Sequence, residues 1–90
     1  MISAVEYTHH FADGDYINIR YMHRITEVSI EHTAIDGHIE VEDFSFVSGT
    51  DLQARAIDIV RRMDRSASER SDVRSELREF LDLIDRVHAE

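Results

Sequence analysis

The stretch EVSIEHTAIDGHIEVEDFSFV, residues 27–47, decides the fold. Asp36-Gly37 stands between two runs rich in β-branched and aromatic residues, 27–35 and 38–47. An Asp-Gly pair in that setting marks a β-hairpin, because a two-residue type I′ turn needs a positive φ at both positions. Such a turn sets Ala34 opposite Ile39 and His32 opposite Val41. Farther out the apolar positions fall out of step: Ile30 meets Asp43, and Val28 meets Ser45. One extra residue in the second strand, near Glu42 and Asp43, would return Phe44 and Phe46 to the apolar face. A β-bulge is therefore expected there.

Upstream, residues 2–11 alternate, with Val5, Tyr7, His9 and Phe11 on one face, and read as a strand. Asp13-Gly14-Asp15 is a turn signal. Residues 16–23 form a second strand, with Ile17, Ile19 and Tyr21 on one side and Asn18 and Arg20 on the other. The link at residues 23–26 has no Gly, so it is either a tight polar turn or a bend in one long strand. Downstream, Ser48-Gly49 ends the sheet. Thr50 and Gln53 have the spacing of a capping box, and Asp51 suits the positive end of a helix.

Leu52, Ala56, Ile59, Val60 and Met63 then make an apolar stripe. Val73, Leu77, Phe80, Ile84 and Val87 make another. Both share one heptad phase, so residues 51–89 read either as one long helix or as two. The polar segment DRSASERS (64–71) favours two, and Ser66 with Glu69, Ser68 or Ser71 can cap the second. The expected fold is α+β, one domain over residues 1–90. A four-stranded antiparallel meander fills 1–48. A helical segment over 50–90 follows, its two helices packed on one face of the sheet.

Charge is distributed unevenly along this order. Residues 1–50 hold nine acids and two arginines, a balance of −7; residues 51–90 hold ten acids and eight arginines, a balance of −2; together they make the net −9. An acidic sheet repels nucleic acid and anionic membrane and attracts basic partners. No apolar run approaches the ~20 residues of a membrane span. The first residues, MISAVE, lack the basic-then-apolar order of a signal peptide. The absence of Cys excludes disulfides, thiolate zinc sites and thiol nucleophiles, and fits a reducing compartment. A cytoplasmic location is expected.

The residues expected to meet a partner are Glu27, Glu31, Glu40, Glu42 and Asp43. In the type I′ register Glu31 lies across from Glu42, and like charges directly opposite on a sheet are destabilising. The histidines show no HxH, HxxxH or HExxH spacing, although His38 and Glu40 share a strand face; no metal site and no cofactor are expected. Gly14, Gly37 and Gly49 all sit at turns, so no phosphate-cradling loop exists. No pattern pairs a nucleophile with a base, and no enzyme is expected. Arg70, Arg74 and Arg78 line one helical face, but Glu69, Asp72, Glu76, Glu79 and Asp82 interleave with them as on a solvated, salt-bridged surface. The stripe Val73, Leu77, Phe80, Ile84 and Val87 packs on the sheet or offers a seam to a second copy or a partner.

Four short strands (5–11, 16–22, 28–35, 39–47) followed by two helices (52–63, 73–87), in fewer than 100 acidic residues, resemble some small phage-encoded anti-CRISPR proteins. The likeness covers the whole chain and rests on element order and acidity. It implies an inhibitor that occludes a basic nucleic-acid-binding or protein surface. The expected function is thus that of a non-enzymatic, acidic interaction module with a basic protein partner and no direct contact with nucleic acid or membrane. The alternative is a homodimeric structural or regulatory protein acting through its helical seam.

Overall fold

The computed structural model describes residues 4–89, with side chains through Val87. β1 (Ala4–His10), β2 (Tyr16–Met22), β3 (Glu27–Thr33) and β4 (Ile39–Ser45) form one antiparallel sheet in sequence order. α1 (Gly49–Arg62) and α2 (Ala67–Ala89) follow and cover one face of it. The α+β architecture read from the sequence is the one observed.

Two hairpins share one device. In the first, Phe11 N–H donates to Asp15 C=O (2.8 Å) and Gly14 N–H to Phe11 C=O (3.1 Å), with Gly14 at φ +104°. In the second, Ala34 N–H donates to His38 C=O (2.8 Å) and Gly37 N–H to Ala34 C=O (2.9 Å), with Gly37 at φ +95°. Each is a three-residue loop whose last residue is a left-handed glycine. The Asp before each Gly accepts from the amide two residues on: Asp13 Oδ1 from Asp15 (3.1 Å) and Asp36 Oδ1 from His38 (2.9 Å). The tips also touch. A Cβ on Gly14 would stand 2.7 Å from Ile35 Cδ1.

The second hairpin corrects the register. The expected bulge near Glu42 and Asp43 is absent; the extra residue sits in the loop. β3 and β4 pair without interruption, from Thr33 with Ile39 to Glu27 with Ser45. Val28 therefore lies beside Phe44, Ile30 beside Glu42 and His32 beside Glu40. A shift of one residue turns every side chain of a strand over. Phe44 and Phe46 reach the core by that route, as expected. Glu40 and Glu42 turn toward the helices with them, and Ile39 and Val41 turn outward. The link at residues 23–26 is a tight turn, closed by Thr26 N–H to His23 C=O (3.3 Å), with Thr26 at φ +47°.

The helical segment is two helices. The N-cap of α1 lies two residues before the expected position: it is Ser48, not Thr50, and its hydroxyl accepts from Asp51 N–H (3.1 Å). Asp64 at φ +60° ends the helix. Ser66 and Glu69 form a reciprocal capping box, Glu69 N–H to Ser66 Oγ (3.1 Å) and Ser66 N–H to Glu69 Oε1 (3.0 Å). The core joins Ile17, Ile19, Tyr21, Val28 and Ile30 of the sheet to Leu52, Ala56 and Val60 of α1 and Val73, Leu77, Phe80, Ile84 and Val87 of α2. Those five α2 residues are 0–3% exposed within one chain. They close the core and are not a free seam for a second copy.

Candidate protein-interaction surface

The helices cover one face of the sheet and leave the other bare. Strand alternation and register fix what the bare face carries. Four rows cross it: Ala4, Met22, Glu27, Ser45; Glu6, Arg20, Ser29, Asp43; Thr8, Asn18, Glu31, Val41; and His10, Tyr16, Thr33, Ile39. The charged members are Glu6, Glu27, Glu31 and Asp43 against Arg20 alone, a balance of −4 + 1 = −3. Arg20 lies 3.5 Å from Glu6, which also accepts from Asn18 Nδ2 (2.9 Å). Glu31 accepts from the Thr33 hydroxyl (3.3 Å). Glu27 and Asp43 have no ion-pair partner among the described residues. A shallow depression of about 310 Å³ runs between them, with Asn18, Arg20, Met22 and Ile25 on its walls. Ile39 and Val41, 56% and 57% exposed, lie on the same face along the free edge of β4.

The five expected partner-binding acids therefore divide. Glu27, Glu31 and Asp43 share the bare face. Glu40 and Glu42 lie on the opposite face, beside α1. Glu31 stands across from Val41, not Glu42, so the like-charge pair expected across the hairpin is not formed. Glu42 is instead met by Arg55 and Arg62, each at 3.5 Å, and the Arg55 guanidinium lies over the Phe44 ring (4.3 Å). Glu40 meets the similarly exposed His38 at 3.3 Å and has no other ion-pair partner among the described residues. No group of three His, Asp or Glu able to hold a metal occurs among the described residues.

Two polar clusters on the covered side could not be read from spacing. Arg65, from the link between the helices, reaches back to the first hairpin loop. Its guanidinium donates to Asp15 Oδ2 (2.6 Å) and Asp13 Oδ1 (3.0 Å), pairs with Glu69 (3.4 Å) and lies 4.1 Å above the Phe11 ring. Asp15 Oδ1 accepts from Ile35 N–H (2.9 Å), which ties in the second hairpin tip. The Arg65 hydrogen bond holds the Asp13 carboxyl below its ordinary range. In the second cluster, Glu76 of α2 accepts from the Tyr7 hydroxyl (2.9 Å) and meets His9 Nδ1 (3.0 Å). Burial would raise the Glu76 carboxyl, but these hydrogen bonds prevail and hold it low; burial and the carboxylate together push the Tyr7 hydroxyl up. Both clusters join distant segments by charge-assisted bonds.

A groove of about 450 Å³ lies between α1 and the inner side of β3 and β4, lined by Ile30, His32, Glu40, Val41, Glu42, Ile59, Arg62 and Met63. The His32 side chain is 13% exposed, with Nε2 3.9 Å from Asp15 Oδ2. No described helix is long and apolar enough to cross a membrane. No family model matches the chain, and no curated protein and no solved structure shows a significant similarity to it.

Proposed function

We propose that this chain is a non-enzymatic interaction module that presents the bare, acidic face of its sheet to a basic protein surface and occludes it. The observation that carries the reading is the uncovered face itself: four carboxylates against one arginine, with Glu27 and Asp43 unneutralised. Exposed Ile39 and Val41 beside them supply the apolar area that a lasting contact needs once charge has steered the encounter. The target class follows from the resemblance to small anti-CRISPR inhibitors: a nucleic-acid-binding complex whose cationic groove an acidic protein would fill.

The test is capture from a host lysate on immobilised protein at low salt, with elution at 0.5 M salt and identification by mass spectrometry. A basic protein should be retained by the natural chain and lost by the triple variant Glu27→Lys, Glu31→Lys, Asp43→Lys. Nucleic acid added to the captured partner should compete with the natural chain. Retention of the same partner by the triple variant, insensitive to salt, would refute the reading.

A further inference from the structure

The last strand of the sheet is open on its far side. In β4 the even-numbered residues bond to β3, as the backbone bonds at Ala34–His38 and Thr26–Phe46 define. The N–H and C=O groups of Ile39, Val41, Asp43 and Ser45 therefore point away from the sheet, and no described residue bonds to them. Natural edges are usually blunted by Pro, charged side chains, a bulge or a covering segment, and in β4 the charge is all acidic, at Glu40, Glu42 and Asp43. Within β4 there is no Pro, no Lys and no bulge. The outward side chains Ile39 and Val41 are more than half exposed. β1, the opposite edge, turns Ala4, Glu6, Thr8 and His10 to the same face, with no comparable apolar pair.

The acids of β4 decide what can add there. A second copy is the wrong occupant. Antiparallel self-pairing centred on Val41 sets Glu40 against Glu42 of the other copy. Centring on Glu42 sets Glu42 against itself and Val41 against Asp43. Like charges in such positions oppose pairing. A basic strand meets the opposite situation. Glu42 is already engaged by Arg55 and Arg62, but Glu40, with its side chain 66% exposed, has no arginine paired to it among the described residues, and only His38 hydrogen-bonds it. The groove beneath α1 begins at Glu40 and is walled by Met63 and Ile59, which suits the aliphatic stem of a long basic side chain.

We propose that the free edge of β4 is a strand-accepting site for an extended basic segment of another protein. The segment runs antiparallel to β4, with an arginine or lysine facing α1 opposite Glu40 and β-branched side chains beside Ile39 and Val41 on the bare face. Main-chain bonds supply affinity, and the alternating side chains supply selectivity. In this register the amides of the β-branched residues point at β4 and those of the basic residues point away. The site shares Ile39 and Val41 with the bare-face contact but does not use its acids, Glu27, Glu31 and Asp43.

The probe is a fluorescein-labelled peptide of about eight residues, alternating arginine and valine. Binding is read by anisotropy at ~0.15 M salt, where exposed charges are screened beyond about 8 Å. N-methylation of the valines should weaken binding at least about tenfold, whereas N-methylation of the arginines should leave it nearly unchanged. A peptide of the same composition with its arginines and valines in two blocks should bind as weakly as the valine-methylated one. Val41→Pro, which removes an outward amide and no internal bond, should match that loss, and Glu40→Arg should weaken binding as well. The bare-face variant Glu27→Lys, Glu31→Lys should keep the peptide, which separates this site from the bare-face reading. Equal binding by the alternating and block peptides, or the same response to both methylation patterns, would overturn the proposal. The methylated peptides decide it even if Val41→Pro fails to fold.

Discussion

On the inner face of the sheet Ile17, Ile19, Tyr21, Val28 and Ile30 are at most 1% exposed, whereas on the outer face Ile39 and Val41 are 56% and 57% exposed. The two faces of one sheet thus live in opposite environments. The inner face is closed by two helices and by polar clusters at Arg65 and Glu76. The outer face has one arginine, four carboxylates and no cover. Folding free energy comes from the first, through apolar burial. The second adds little to it, so its composition is free to be set by what it meets. That division teaches where to look for function: in the residues the core does not need.

The contrast breaks most visibly from the inside. Leu77→Ala or Phe80→Ala should destabilise the fold by ~2–5 kcal/mol, because each removes buried apolar volume and leaves a cavity. An unchanged melting temperature would show α2 to be loosely attached. Arg65→Ala should follow at about 3 kcal/mol, since it leaves Asp15 partly buried without its cation and strips a guanidinium from Phe11. Arg65→Lys should recover only part of this, because the ammonium cannot bridge Asp13 and Asp15 as a fork does. Equal denaturant midpoints for the two variants would contradict that geometry. Gly37→Val should cost about 1 kcal/mol or more: its Cβ would meet nothing within 4 Å, but a β-branched residue resists φ +95°.

Acid should loosen the polar clusters that tie the helices to the sheet. The Asp13, Glu69 and Glu76 carboxyls are all held below their ordinary values in the folded protein. Their contribution is present above those ordinary values, 3.8 for Asp13 and 4.5 for the two glutamates, and is lost as pH falls through the lowered ones. Melting temperature should therefore be level with respect to these groups near neutrality and decline below about pH 4.5. Arg65→Ala should show a shallower decline, because Asp13 and Glu69 lose their cation; an identical slope would place the acid sensitivity elsewhere. Smallest of all, Glu27→Lys, Glu31→Lys, Asp43→Lys should move stability by no more than about 0.5 kcal/mol in thermal melts.

The sequence carried the architecture because its signals were local. Alternation marked the strands, Asp-Gly marked both sharp hairpins, and two 3.6-residue stripes broken by DRSASERS marked the helices. Register was harder to read. Asp36-Gly37 fits a two-residue turn as well as a three-residue loop ending in glycine, and the choice inverts β4. The apolar pattern could not arbitrate, because Ile39 and Val41 belong to one face and Phe44 and Phe46 to the other. That conflict was the real signal: the strand is exposed on its outer side and carries apolar residues there. Arg65, Asp13 and Asp15 lie about fifty positions apart in sequence, and only the folded link between the helices brings them together. Three of the five expected partner-binding acids share one face; Glu40 and Glu42 left it with the register.

The central claim is that the bare face is an electrostatic docking surface and not merely a solvated one. Titration of the isotopically labelled protein with hexa-arginine, followed by amide chemical shifts, tests this directly. The account predicts perturbations concentrated at Glu27, Ser29, Glu31 and Asp43, abolished in the triple lysine variant and by 0.5 M salt. Shifts of equal size along the acidic residues of α2, at Asp72, Glu79, Asp82 and Asp85, would contradict it.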